Sequence, residues 1–332
     1  VSISGSSGGG TQYFISGAYT NEGGPITVKD TPMIQGSTRL NLKQTVNDKL
    51  SVSMTSYFSD RDRTLYGEGS ESYFLRRLTF LTAQADLLAK DPNEPGGYSH
   101  IGEPIDVGNA AENPVNRLVN TDHTEDRSRF LGGFDATYSP FRWLKVIGNV
   151  SIDRIDIDES YYQRPGLSRL FKTVKTLGSI RKEDRLRQEF NASLTLAANR
   201  QFGDLTMRNR VRWLMETLDN NGSEVSASEL PVGDVPSLGV ATGTPKISSY
   251  SESIRSEGLF LINQFTYKDK YIGDFLIRQD GSSLFGADER WQNYGRVSMA
   301  WRLSEEPWFN VGWIDELKPR FSVGTSGGRP AF

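Results

Sequence analysis

The chain has 332 residues and a formal net charge of -3, with a sequence pI of about 5.7, a balance that gives no electrostatic footprint for nucleic acid. It contains no cysteine, which excludes disulfide scaffolds, thiolate metal sites and cysteine nucleophiles. Mean hydropathy is -0.49 and no apolar run nears the roughly 18 residues of a transmembrane helix; membrane strands, about ten residues long and apolar only at alternate positions, stay open.

Read in order, the chain alternates between period-two runs and polar breaks. Val1 to Gly5 ends a strand, Ser6 to Gly10 is a glycine turn, and Thr11 to Thr20 sets Tyr13, Ile15, Gly17 and Tyr19 on one face. A long loop runs from Asn21 to Gly36. Ser37 to Thr45 and Lys49 to Ser59 flank Asn47-Asp48, a hairpin signal. Asp60 to Arg127 is the longest break; the leucine spacing from Phe74 to Ala89 predicts a short amphipathic helix inside it. Ser128 to Ser139 and Trp143 to Asp158 alternate around a short turn at Pro140. Glu159 to Ser179 is a long loop. Ile180 to Arg200 and Leu205 to Leu218 are joined by the short Gln201 to Asp204 turn. Asp219 to Tyr250 is long and polar, and Ser251 to Tyr267 is a strand. Tyr271 to Arg278 and Val297 to Leu303 alternate, joined by the polar loop Gln279 to Gln292; Pro307 to Asp315 then leads to a last strand, Glu316 to Gly324.

Short and long connections alternate along this series. An up-and-down barrel sorts its connections by rim, and bacterial outer-membrane barrels have short periplasmic turns and long extracellular loops; a sandwich gives no reason for such parity. The predicted fold is all-β: an antiparallel up-and-down transmembrane β-barrel, partial, of about twelve strands in one curved sheet, with long extracellular loops, one partly helical. Leu40, Val52, Phe134, Val146, Leu194, Val211, Phe275 and Met299 are expected to face lipid. Arg39, Lys43, Asn149, Arg208, Arg210, Arg212, Asp274 and Arg302 are expected to face a polar lumen, with Arg208, Arg210 and Arg212 biasing it toward anionic or polar solutes. Trp143, Tyr19, Tyr267, Tyr271, Trp308 and Trp313 lie near strand ends, where aromatic girdles form. A β-sandwich core is the competing reading of the same apolar faces.

The stretch YKDKYIGDFLIRQDGSSLFG, followed by RVSMAWRLSEEPWF and LKPRFSVGTSGG, resembles the SusC/RagA branch of TonB-dependent outer-membrane transporters. The matching residues are Tyr267, Asp269, Lys270, Tyr271, Arg278, Asp280, Gly281, Ser282, Ser283, Phe285, Gly286, Trp301, Arg302, Leu303, Ser304 and Glu306. A lone DGSS is a weak signal; the ordered series is a specific one, and looser similarity extends to the opening SISGSSGGGTQYFISGAYTNEGG. The resemblance implies residence in the outer membrane of a Gram-negative bacterium. It also implies energised uptake of oligosaccharides or peptides, with a SusD-like surface lipoprotein as partner and TonB engaged through an N-terminal region outside the sequence. On this reading residues 1–332 are part of a single barrel domain, without plug or closing strands. Such a piece, with two open edges, is expected neither to fold in water nor to transport alone.

Chemistry for catalysis is not evident. His100 and His123 lie near Asp106, Asp122, Glu125 and Asp126 in the longest break, read as an acidic hydrated loop. Asp153, Asp156, Asp158 and Glu159 could offer oxygens to Ca²⁺, but a strand face turned to a wet lumen explains them more simply. The glycine patch at Gly5 to Gly10 lacks the lysine and following helix of a phosphate loop. No cofactor, metal or enzyme activity is expected. The loop aromatics Tyr66, Tyr73, Tyr161 and Tyr162 are the candidate stacking residues for substrate, both for a transporter and for the alternative, a soluble or surface-exposed β-protein that binds glycans.

Overall fold

The computed structural model describes residues 1–24, 26–65, 78, 85–99, 113–169, 174–286 and 288–327. In it the period-two runs are strands: β1 (Ser2–Ser6), β2 (Thr11–Glu22), β3 (Met33–Asn47), β4 (Leu50–Thr64), β5 (Thr121–Phe141) and β6 (Leu144–Gln163). A two-stranded hairpin of β7 (Ser168–Arg169) and β8 (Val174–Lys175) follows. The series resumes with β9 (Ser179–Phe202), β10 (Leu205–Ser228), β11 (Lys246–Tyr267), β12 (Tyr271–Ser282), β13 (Trp291–Trp301) and β14 (Arg320–Gly324). Apart from the small hairpin, each strand pairs antiparallel with its neighbours in the series, giving one 12-stranded meander without crossovers. The sheet is not closed; β1 and β14 are its edges. Two face-packed sheets, the sandwich alternative, are not what the described residues form.

Register fixes the faces, because residues directly opposite in an antiparallel ladder share a side. One row runs Leu42–Met54–Phe134–Val150–Ala192–Met215. Another runs Leu196–Val211–Leu261–Ile277. All eight residues expected to face lipid share this side. It is apolar and uncovered: Phe134 is 48% exposed, Leu194 47% and Met299 62%. In water so large an apolar face would need a second layer; hydrocarbon accepts it, provided the backbone groups pair within the sheet. The band is about nine residues tall on β5, from Tyr138 to Phe130, the length a tilted strand needs to cross a bilayer. The polar face carries Arg39, Lys43, Asn149, Arg208, Arg210, Arg212 and Asp274. Arg302 is a correction: it follows Trp301, leaves the β13 ladder and leads into a 3-10 turn, Leu303–Glu305.

The strands run further than the alternation indicated. All five expected long loops shorten: β2 continues to Glu22, β4 to Thr64, β6 to Gln163, β10 to Ser228 and β12 to Ser282, and β3, β5, β11 and β13 begin at Met33, Thr121, Lys246 and Trp291. The last strand is shorter than expected, starting at Arg320. Above the band both faces are polar, so the period disappears while the ladder bonds continue. On the outward side Asp62, Asp126, Asp158 and Asp184 then stand directly opposite one another across β4, β5, β6 and β9. Higher still, Tyr162, Ile180, Ala227 and Leu230 make a small apolar core against which Leu238, Val240 and Ala241 pack. The segment after β10 therefore folds over the outward face. Of the helix expected within 74–89, Leu78 is helical, 85–89 is not and the rest lies outside the described residues; a helix not expected, α1 (Pro114–Val119), is capped by the Asn113 side chain and opens on a proline.

The short turns hold one rim together. Asn47 Oδ1 accepts from the Lys49 and Leu50 amides, each at 2.9 Å. Lys268 and Asp269 take φ of 51° and 54° in the β11–β12 turn. There Tyr267, Tyr271 and Trp301 stack in succession with centroids 6.3 and 6.0 Å apart, and Trp308 meets Trp301 edge-on at 6.1 Å. Glu306 accepts from Tyr271 Oη (2.7 Å), Trp301 Nε1 (3.0 Å) and Lys270 Nζ (3.3 Å). Motif residues distant in sequence thus form one aromatic clasp at the short-turn rim.

Face assignment is tested by adjacent arginines in the full-length parent, refolded into lipid vesicles. Val150→Arg, on the apolar face, should lower the stability read from urea titration by roughly 2–4 kcal/mol. Ser151→Arg, one residue on and on the opposite face, should change it by less than about 1 kcal/mol. Equal losses would mean that the faces are exchanged or that neither meets lipid.

Candidate lumen-facing site

With the apolar face given to hydrocarbon, the opposite face lines the interior. Its upper part is an ion-pair network set by register. Arg63, Glu125, Glu159 and Glu183 form one row, with Arg61, Arg127, Ile157 and Arg185 in the row below and His123, Tyr161 and Arg181 in the row above. Like charges directly opposite would repel; cations from the same row and from the rows above and below bind the central carboxylates. Arg61 Nη2 and Arg63 Nε donate to Glu125 Oε1 at 2.7 and 3.0 Å, and Arg63 Nη2 to Oε2 at 3.0 Å. Glu159 binds Arg181 and Arg185 at 2.9 Å each and lies 2.8 Å from His123 Nε2. Burial alone would raise both carboxyls. At Glu125 the Arg63 and Arg61 guanidiniums outweigh it, and at Glu159 the His123 ring with Arg181 and Arg185 does, so both are held below the ordinary carboxylate range.

The outward aspartates behave oppositely. Burial, then the side chain and charge of Asp62, raise Asp126; burial, then Asp184, raise Asp158. Both stand above the apolar band.

Of the candidate stacking residues, Tyr161 faces the interior. Its ring meets His123 edge-on at 5.5 Å and lies 5.9 Å from the Arg181 guanidinium. Tyr162, the next residue of β6, points the other way and is 2% exposed beneath Leu230; it offers no ring face to a solute, which corrects that expectation. Neither tyrosine is in a loop. Tyr66 and Tyr73 lie outside the described residues.

Arg208, Arg210 and Arg212 stand exposed on one face of β10, nearer the short-turn rim. Arg208 Nη1 donates to Gln264 Oε1 at 3.3 Å, and among the described residues none of the three has an ion-pair partner. Several other interior arginines contrast with them: Arg129 binds Asp153 at 2.6 Å, Arg296 binds Asp274 at 2.6 Å and Arg278 binds Asp280. The trio is a positive strip without ion pairs; Arg39, Lys43 and Arg127, elsewhere on the same face, also have none among the described residues. Its alternation was legible in sequence; the pairing of Arg129 and Arg296 depends on cross-strand register and was not. The motif residues divide between the rims. Tyr267, Lys270, Tyr271, Trp301 and Glu306 build the clasp, with Asp269 in its turn. At the long-loop rim the Ser283 amide donates to Arg255 O at 2.9 Å and Ser283 Oγ accepts from the Arg255 amide at 3.0 Å. Gly281 and Ser282 close β12 there, with Phe285 and Gly286 in the loop beyond.

No family model matches the chain. It is 27% identical over 354 residues to the TonB-dependent receptor P26 of Formosa agariphila, covering 98% of this chain and 32% of that protein. It is 31% identical over 64 residues to the TonB-dependent receptor SusC of Bacteroides thetaiotaomicron, covering 19% of this chain and 6% of that one. Among solved structures, the RagAB peptide transporter superposes with a TM-score of 0.75 at 14% identity, over 97% of this chain and 36% of that one. The ferric citrate transporter FecA gives 0.53 at 9% identity, over 92% and 39%. The chain spans about a third of the length of the full-coverage relative. Along nearly its whole length it resembles the SusC/RagA-like TonB-dependent receptors, β-barrel proteins of the Gram-negative outer membrane.

Two substitutions should move stability in opposite directions at neutral pH, read by urea titration of the full-length parent in detergent. A carboxyl with a lowered folded pKa stabilises above its unfolded value and loses that contribution as pH falls through the folded one. Glu159→Gln should therefore cost about 1–3 kcal/mol at pH 7, with the difference from wild type vanishing in acid, below the ordinary carboxylate range. A raised pKa has the reverse sign: Asp126→Asn should stabilise by up to about 1 kcal/mol at pH 7, and the gain should fade as pH drops through the raised pKa. Shifts of the same sign in both variants would contradict the charge rows described.

Proposed function

We propose that this SusC/RagA-like chain is wall of a single barrel domain through which a TonB-dependent importer takes oligosaccharides or peptides across the outer membrane, acting as a transporter and not as an enzyme. The observation that carries the reading is the division of one continuous sheet, over the height of a bilayer, into an uncovered apolar face and an opposite face that holds its charged residues among polar and some apolar ones, which suits a water-filled passage through lipid. The names of the relatives support it: receptors called TonB-dependent, and a peptide transporter. On this reading a SusD-like surface lipoprotein meets the long-loop rim, and TonB engages a segment outside this sequence. Arg208, Arg210 and Arg212 line the lumen and raise the local concentration of anionic or polar solutes, while Tyr161 stacks on solute above the band. Tyr66 and Tyr73 keep the stacking role proposed for them from sequence. No observation favours the soluble glycan-binding reading.

Uptake in the source bacterium tests this. Deleting the gene should abolish accumulation of a labelled oligosaccharide or peptide that wild-type cells import, and inactivating TonB should do the same. Replacing all three β10 arginines by alanine should slow uptake of anionic solutes by about tenfold and of neutral ones by less than about twofold, the size of an electrostatic steering effect. Accumulation unchanged by deletion would overturn the importer; equal effects on both solute classes would overturn the role of the arginines.

A further inference from the structure

The interior wall contains one recess with its own chemistry. Arg129, Ile155 and Arg187 form a cross-strand row on β5, β6 and β9, and Asp153 and Glu189 form part of the next row. Together they line a depression of about 250 Å³, just under the roughly 300–1,000 Å³ of small-molecule pockets and therefore sized for one unit of a larger ligand. The outward neighbours Ile152 and Phe190 top the apolar band, so the recess lies at the band's outer edge.

Its electrostatics are distinct from those of the β10 strip. Arg129 donates through Nε to Asp153 Oδ1 at 2.9 Å and through Nη2 to Oδ2 at 2.6 Å. Arg187 donates through Nε and Nη2 to Glu189 Oε1 at 3.1 and 2.5 Å. Each guanidinium is neutralised, yet keeps N–H groups unused, and each carboxylate keeps lone pairs. Arg187 is 57% exposed at its side chain and Glu189 39%, so these groups are open to solute. The recess presents planar donors and acceptors in fixed pairs around Ile155, with Leu131 and Ile157 beside it on the same face, and with no net charge. An anion gains little here, because every cation already has its counter-charge. Adjacent hydroxyls match guanidinium and carboxylate edges, and a sugar's C–H face matches Ile155.

We propose that Arg129, Asp153, Arg187 and Glu189 form a lumenal subsite for one sugar unit of an uncharged oligosaccharide. The proposal rests on the importer reading for its placement inside a lumen, but its test needs no transport. The full-length parent, purified in detergent, is exposed to an array carrying neutral oligosaccharides, sulfated and uronic-acid oligosaccharides, and short peptides. Wild type should retain neutral oligosaccharides. Arg129→Ala combined with Arg187→Ala should weaken that retention at least tenfold, as expected when charge-assisted hydrogen bonds are lost. Arg129→Lys, which keeps the charge without the fork, should give an intermediate loss. Arg154→Ala, on the outward face of β6, should change nothing and controls for folding in the same region. Absence of neutral-oligosaccharide retention, retention of only peptides or anionic glycans, or retention indifferent to the double substitution would each overturn the subsite. Retention as expected, without TonB-dependent uptake in cells, would overturn the importer and leave the subsite standing.

Discussion

Hydrocarbon offers no partner to a backbone amide, and that single constraint organises the chain. Every N–H and C=O at membrane depth must find its partner within the sheet, so the strands lie side by side in sequence order, and neighbours meet through turns of a few residues at one rim. Apolar side chains then need no second layer. Phe134, Leu194 and Met299, about half or more exposed, are at ease in lipid for the reason they would be out of place on a soluble protein. The small core of Tyr162, Ile180, Ala227 and Leu230 lies above the band, where water returns and apolar groups must again be covered by protein.

The same division permits so much charge on the other face. A polar face in a water-filled interior does not have to exclude ions, only to arrange them. Over much of the upper wall the charges are paired: carboxylates at Glu125 and Glu159 each bind two guanidiniums, and Arg129 and Arg296 bind aspartates across strands. The strip of Arg208, Arg210 and Arg212 has no such pairs among the described residues. Paired groups act at hydrogen-bond range, whereas an unpaired strip acts through its field over about a Debye length. A wall holding both can draw solutes in by charge and sort them by contact.

The motif shared with the SusC/RagA branch now has a structural content. Glu306 gathers Lys270, Tyr271 and Trp301 and so fixes the aromatic stack at the short-turn rim. Ser283, at the other end of the same strand pair, binds the β11 backbone at Arg255. These are contacts that set the two ends of a hairpin, and they explain a recurring series of residues without assigning them any chemistry.

Sequence alone determined the outline: the all-β class, the meander, the sorting of short and long connections, and which residue of each pair faces lipid. It could do so because within the bilayer one face must be apolar and the other may be polar, so a period of two is written into the residues themselves. Above the bilayer that compulsion ends. Both faces of β4, β5, β6 and β10 become polar, and the alternation that reveals a strand vanishes although its hydrogen bonds persist. Hence the extensions to Thr64, Gln163 and Ser228 were legible only in three dimensions. So were the rows that join Glu125 to Glu159 and Arg129 to Ile155, since register relates residues tens of positions apart and a slip of one would exchange every face. The burial of Tyr162 followed from a segment folding back over the outward face. Local periodicity records what solvent each face meets; which side chains meet each other is decided by pairing across strands.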